Sequence, residues 1–140
     1  MTSHNLSLKP FATTAVGSFP HPSGARLSQQ LVETLDIPAW PQLSRRSFRE
    51  NMYVQYSACL PAVRVDDENE KITFDTTGDL SQPLEEFYTH YLAEDLDAFG
   101  LTPEYAAGFF DMMESLQNTP GQWVKGRVTG PIGVGLTVTD

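Results

Sequence analysis

The chain has 140 residues, of which 40% are apolar and 19% charged, a composition that excludes a disordered or fibrous protein and predicts one globular domain over residues 1–140. Nine basic residues against eighteen acidic ones give a formal charge of −9, so we expect neither a nucleic-acid partner nor binding to an anionic membrane surface. A single cysteine, Cys59, excludes an intrachain disulfide framework, and we expect a cytoplasmic protein.

The N-terminal region predicts a tail, a buried strand and a helix. Residues 1–9 have no signal-peptide features, and we expect a flexible tail there. Residues 11–19 are rich in small and β-branched side chains and end in a Gly-Ser-Phe-Pro loop, which is typical of a buried strand. An apolar i, i+4, i+5, i+8 pattern then predicts a helix that Ser23 caps and that reaches Leu35.

The middle of the chain predicts extended chain, a second helix and a hairpin. Two prolines restrict residues 37–43 to extended chain or a very short strand. A helix is expected to open at Ser44 or Ser47 and to place Cys59 on its apolar, core-facing side. Two short alternating runs around an acidic stretch predict a β-hairpin over 63–74, as an excursion from the main fold.

The last part of the chain predicts two more helices and a strand. Apolar spacing predicts a helix over 83–99 with a left-handed cap at Gly100. A second helix is expected to begin at Thr102 and to continue to about Gln117. Residues 123–129 predict a strand, after which the chain is glycine-rich. Strands separated by helices, with no internal repeat, predict an α/β fold.

Residue types that commonly carry chemistry are scattered in this sequence. The three histidines, His4, His21 and His90, lack the spacings that place two ligands on one metal, so we expect no metal site from this chain alone. His21 is the best placed, because the loops that follow strands form the sites of α/β proteins. Neither Ser18 nor Cys59 lies in a nucleophile-elbow pattern, which argues against hydrolase chemistry.

Three motifs together resemble a known family. They are TTAVGSFPH at 13–21, IPAWPQL at 37–43 and GRVTGP at 126–131. They are similar to the opening of methionine synthase II type proteins, in the superfamily of cobalamin-independent methionine synthase and uroporphyrinogen decarboxylase. The resemblance extends over essentially the whole chain but only over the first part of the family's domain.

The resemblance implies the N-terminal portion of a (β/α)8 TIM-like barrel with the hairpin inserted, incomplete here because a full barrel takes about 250 residues. The family enzyme is a 5-methyltetrahydropteroyltriglutamate–homocysteine S-methyltransferase, in which zinc activates the homocysteine thiol to accept a methyl group from a folate. Its Gly-Ser after the first strand contacts the amino acid end of homocysteine and maps to Val16, Gly17 and Ser18. With His21, these are the predicted substrate-binding residues.

The family's zinc ligands lie on later strands, as a His-x-Cys pair, a glutamate and a second cysteine, and nothing before Asp140 matches them. We therefore expect no cofactor or metal in this chain, zinc in the full-length enzyme, and no activity of the chain alone, and we assign no catalytic residue. The partners implied are an amino acid thiol and a folate.

Two alternatives stay open from the sequence. One is a uroporphyrinogen-decarboxylase-like or corrinoid methyl-transfer relative. The other is a non-catalytic binding or oligomerising module, because an incomplete barrel leaves unpaired strand edges that favour association. In either case we expect a homo-oligomer through the apolar stretches 124–128 and 132–138.

Overall fold

The computed structural model describes residues 8–117, 119 and 123–137, and this part of the chain is a mixed α/β structure. Residues 1–7 of the predicted tail, with His4, lie outside the described residues. None of the described helices is long and apolar enough to cross a membrane. The elements are α1 (Ala25–Thr34), α2 (Met52–Ser57), β1 (Val63–Asp66), β2 (Lys71–Phe74), α3 (Ser81–Leu92), α4 (Ala107–Leu116) and α5 (Pro131–Thr137), with 3-10 turns at Phe48–Glu50 and Leu96–Phe99.

Three extended segments lie side by side, and their directions are parallel. The first segment (11–19) bridges the central segment (37–43) at Thr14–Ile37 and Ser18–Gln42, and the central segment bridges the third segment (123–129) at Ala39–Lys125. The bridges stay isolated because the prolines of the central segment have no N–H to donate to a ladder. The strands predicted over 11–19 and 123–129 are therefore extended chain that makes only isolated bridges among the described residues. These residues form no barrel.

Helices α1 and α4 cover the central segment and form the core with it. Leu27 and Leu31 of α1 and Met112 of α4 are buried against Trp40 and Leu43. The predicted first helix is confirmed, but its predicted cap is wrong. Gly24 occupies the N-cap position of α1 and makes no side-chain capping bond, so Ser23 lies one residue too early to serve.

The helix predicted to open at Ser44 or Ser47 and to include Cys59 is broken at Asn51. Ser47 caps only the 3-10 turn, by accepting from the backbone N–H of Arg49 at 3.1 Å. Asn51 then has an extended ψ of 134°, and its side chain caps α2. An asparagine favours such local side-chain bonding over a helix interior. Because α2 ends at Ser57, Cys59 lies in the following turn and is exposed, so the prediction that it is a core residue is wrong.

The hairpin predicted over 63–74 is confirmed as the two-stranded antiparallel sheet β1–β2. Its register pairs Val63 with Phe74 and Asp66 with Lys71. Arg49 reaches its tip, with Nη2 2.6 Å from a carboxylate oxygen of Asp67. The hairpin is thus attached to the 3-10 turn that precedes α2 by an ion pair.

The helix predicted over 83–99 ends earlier than its apolar pattern does. Helix α3 ends at Leu92, and Glu94 takes the left-handed backbone conformation with a φ of 54°. The backbone N–H of Asp95 then bonds back to the carbonyl of His90 at 3.0 Å, which closes the helix end. Gly100 has a φ of −66°, so the predicted left-handed cap at that glycine is wrong.

The last two described helices also differ from expectation. Helix α4 ends at Leu116 with Gln117 as its cap, close to the predicted end, but it begins at Ala107 rather than at Thr102. Residues 102–105 instead form a turn, in which the Thr102 carbonyl accepts from the N–H of Tyr105 at 3.0 Å. Helix α5 was not predicted because of its glycines, and it begins at Pro131, where a proline suits the first helical turn.

Candidate functional site

The carboxyl ends of the three extended segments meet at one edge, where parallel structures commonly bind ligands. The first segment contributes Gly17 and Ser18, the central segment Gln42, and the third segment Arg127. We call these four residues the rim. They are far apart in the sequence, and the bridges between the segments bring them together.

Ser18 and Gln42 are linked by their side chains. The Ser18 hydroxyl donates to Oε1 of Gln42 at 2.9 Å, next to the backbone bridge between the same residues. The other end of the amide, Nε2, donates to the carbonyl of Glu50 at 2.9 Å. That second bond fixes which atom of the amide faces the rim, so Gln42 presents its oxygen to Ser18.

The guanidinium of Arg127 lies across the rim. Its Nη2 donates to the carbonyl of Trp40 at 3.0 Å, and its Nη1 donates weakly to Oε1 of Gln42 at 3.4 Å. The guanidinium carbon is 4.6 Å from the centre of the Trp40 ring, a cation–π arrangement. Burial lowers the pKa of Arg127, because the charged form has lost part of its hydration.

The backbone of Gly17 makes this position of Arg127 sterically possible. Gly17 has a φ of +123°, which side chains rarely adopt. A Cβ at this position would lie 2.5 Å from the guanidinium carbon of Arg127. The glycine of the Gly-Ser motif therefore provides both the turn and the space for the cation.

The structure separates the four predicted site residues into two groups. Gly17 and Ser18 belong to the rim, whereas the side chain of Val16 is 84% exposed and points to solvent. His21 is exposed beyond the turn, with its ring edge-to-face on Phe19 at 6.3 Å between centroids. Neither Val16 nor His21 shares the hydrogen bonds that join the rim residues in the described part of the chain.

Sequence reasoning missed Gln42 and Arg127. Both lie inside the motifs that carry the family resemblance, so a signal was present. Arg127 follows Gly126 in a run that otherwise predicts a strand, and a charged residue in a buried strand is unusual. Only the pairing of the three segments reveals that Arg127 reaches Gln42, the residue that accepts from the Ser18 hydroxyl.

A buried carboxylate supports the rim from behind. Glu50 is fully buried, and its Oε1 accepts from the backbone N–H of Ala107 at 2.8 Å and from Arg46 at 3.2 Å. Burial raises the pKa of Glu50 above its ordinary value, although these partners oppose the shift. Glu50 thus connects the start of α4, which its side chain binds, to Gln42, whose amide its backbone carbonyl orients.

The described residues do not fit the zinc centre that the family resemblance implies. Within residues 8–117, 119 and 123–137, no three histidine, cysteine, aspartate or glutamate side chains are grouped so that they could hold a metal ion. His90 instead bonds to Asp95, with Nδ1 2.8 Å from the carboxylate.

Comparison of the whole chain with protein-family models, with curated proteins and with solved structures gave no match in any of the three.

Proposed function

We propose that this chain is the N-terminal part of a methionine-synthase-like methyltransferase of the (β/α)8 barrel type, which transfers a methyl group to a thiol such as homocysteine. One observation supports the proposal above the others. The three segments that contain these motifs or adjoin them lie side by side and parallel, and their carboxyl ends bring Gly17 and Ser18 together with Gln42 and Arg127 at one edge. In (β/α)8 enzymes this is the edge at which substrates bind.

The chemistry of the rim suits the amino acid end of such a substrate. The Ser18 hydroxyl can donate to a carboxylate or accept from an ammonium group, and Gly17 lets the ligand approach the backbone. Val16 and His21 flank the rim and are exposed. In the proposal they contact the ligand from the outside, and the folate binds to parts of the enzyme beyond these residues.

The proposal is tested first by reading the gene beyond the codon for Asp140 and by measuring the intact mass of the protein in cells. A reading frame that continues and encodes a His-x-Cys pair, a glutamate and a further cysteine supports the methyltransferase proposal. A stop codon after Asp140 overturns it. Binding of a tetrapyrrole or corrinoid by the full-length protein, without homocysteine-dependent methyl transfer, would instead favour the decarboxylase-like or corrinoid relative.

Substitution of Ser18 tests the binding role within the proposal. We expect Ser18→Ala to weaken homocysteine binding by the full-length enzyme by roughly 1 kcal/mol, the usual contribution of one hydrogen bond. Isothermal titration calorimetry measures the change. Ser23→Ala is the matched control, because Ser23 is exposed and makes no capping bond to α1. Equal affinities of wild type and Ser18→Ala would remove Ser18 from the site.

A self-associating module is the second candidate, supported by exposed apolar side chains at the end of the described chain. Val128, Ile132 and Leu136 are all more than three-quarters exposed. Covering such side chains with a second copy removes apolar area from water. Light scattering over a concentration series tests this candidate. A monomer at the highest concentration contradicts it.

A further inference from the structure

Arg127 is a half-buried cation without an acidic partner in the described part of the chain. Arg46, Arg49 and Arg64 each form an ion pair with a carboxylate. Within residues 8–117, 119 and 123–137, no carboxylate is paired with Arg127, although the chain carries a formal charge of −9. Removing a cation from water is costly unless an anion compensates it.

The hydrogen bonds of Arg127 are also incomplete. Its Nε is buried and has no hydrogen-bond partner among the described residues. Its Nη1 shares the Gln42 Oε1 acceptor with the Ser18 hydroxyl, at 3.4 Å and 2.9 Å respectively. A hydroxyl and a guanidinium therefore converge on one neutral amide oxygen. A carboxylate is a stronger acceptor for such a donor pair and offers two oxygens.

The guanidinium is held in place before any ligand arrives. The Trp40 ring lies against one of its faces, the Trp40 carbonyl accepts from Nη2, and the absent side chain of Gly17 leaves it room. A donor that is already ordered loses little conformational freedom on binding. Arg127 remains partly exposed, so an anion at the edge can reach it.

We propose that Arg127 is the carboxylate-binding residue of the rim, and that with Ser18 it takes the α-carboxylate of an amino acid ligand in place of the Gln42 oxygen. The identity of the ligand as an amino acid thiol rests on the proposed function. The preference for a carboxylate rests only on the unpaired guanidinium and the donors that converge on Gln42.

The test uses tryptophan emission from the 140-residue chain. The chain has two tryptophans, and Trp123→Phe leaves Trp40, which contacts the guanidinium, as the single reporter. In this background the chain is titrated with L-homocysteine, with L-norvaline, which has the carboxylate but no thiol, and with 3-aminopropane-1-thiol, which has the thiol but no carboxylate.

We expect 3-aminopropane-1-thiol to bind about 10-fold or more weakly than L-homocysteine, which is the scale of a hydrogen bond to a charged group. Arg127→Met should remove this difference, and Arg127→Lys should keep part of it, since the charge remains without the planar fork. Arg64→Met is the matched control, because Arg64 lies on β1 and pairs with Asp75. It should leave all three affinities unchanged.

The outcomes separate this inference from the proposed function. If L-norvaline binds as tightly as L-homocysteine, and Arg127→Met weakens the binding of both, the carboxylate site is confirmed and the proposal of a thiol substrate is contradicted. If L-homocysteine binds equally to wild type and to Arg127→Met, the carboxylate site is overturned and the proposed function is untouched. Absence of binding of both carboxylate ligands to the wild type also overturns the site. If Arg127→Met does not fold, the three ligands on the wild type and on Arg127→Lys decide the matter.

Discussion

Helices α1 and α4 form a layer whose apolar side chains largely pack in or against the core. We call residues 81–99, which contain α3 and the 3-10 turn after it, the arm, and its apolar side chains are largely exposed. Both regions carry apolar residues at helical spacing. In the layer, Leu31 is 8% and Met112 1% exposed. In the arm, α3 has no buried residue, and Leu92 and Leu96 are 78% and 79% exposed.

The difference lies in what each region packs against. The layer covers the central segment, whose Trp40 and Leu43 fill the space between α1 and α4. The arm packs chiefly within itself, where the Phe87 ring stacks on Tyr91 and meets Phe99 edge-to-face. Helical spacing thus predicts a helix with an apolar side, but whether that side is covered depends on a partner elsewhere in the chain.

The largest expected effect separates the two regions by their burial. Leu43→Ala should lower the free energy of unfolding by about 2–5 kcal/mol, because it opens a cavity in a fully buried position. Leu96→Ala is the matched control in the arm, and we expect a change within about 0.5 kcal/mol. Urea unfolding followed by circular dichroism measures both. Similar losses for the two variants would mean that the arm is as well packed as the layer.

The second effect concerns the close approach of α4 to the central segment. A Cβ at Gly108 would lie 2.0 Å from the carbonyl oxygen of Pro41, which is backbone and cannot move aside alone. We expect Gly108→Ala to cost about 1–3 kcal/mol of unfolding free energy. Gly135→Ala in α5 meets nothing within 4 Å and should be neutral or slightly stabilising. Thermal melts of the two variants compare their stabilities. A loss of stability in Gly135→Ala but not in Gly108→Ala would contradict the prediction.

The smallest effect is a pH dependence at Glu50, whose side chain binds the first residue of α4 in the layer. The pKa of Glu50 is raised above its ordinary value of 4.5 by burial, so the folded protein holds this proton more tightly than the unfolded chain does. Its contribution to stability is complete below 4.5 and is lost as the pH rises through the folded pKa. Glu50→Gln keeps the acceptor for the Ala107 N–H and removes the titration.

We therefore expect the stability of Glu50→Gln relative to wild type to increase from pH 4.5 towards neutral pH, in urea unfolding at each pH. Glu86→Gln is the control in the arm, since Glu86 is exposed, and its difference from wild type should stay constant. A pH-independent difference for Glu50→Gln would show that burial does not govern this carboxylate.

Local sequence signals anticipated elements better than their boundaries. The hairpin was predictable because alternation and an acidic turn act over a few neighbouring residues. The breaks at Asn51 and Glu94 were not, because apolar spacing continues through both positions. At Asn51 the side chain caps α2, and this bond replaces a backbone bond of a continuous helix. At Glu94 a non-glycine residue adopts the left-handed conformation that the sequence pattern predicted for Gly100.

The candidate site was half predictable for the same reason. Gly17 and Ser18 were predicted because the family resemblance maps the Gly-Ser that follows the first strand onto them. Gln42 and Arg127 lie 24 and 109 residues further along than Ser18, and no local pattern joins them to it. Their roles depend on which segments pair, and one side-chain network then connects all three segments.

The sequence by itself determined the mixed α/β character, the apolar sides of the helices, the hairpin and the Gly-Ser turn, because these depend on the residue types of neighbours within a few positions. The tertiary structure alone decided which apolar sides are covered, that Cys59 is exposed, and that Arg127 shares the Gln42 acceptor with Ser18 and has no acidic partner in the described part of the chain. Burial and unpaired charge are properties of surroundings, and these surroundings are assembled from residues that are distant in the chain.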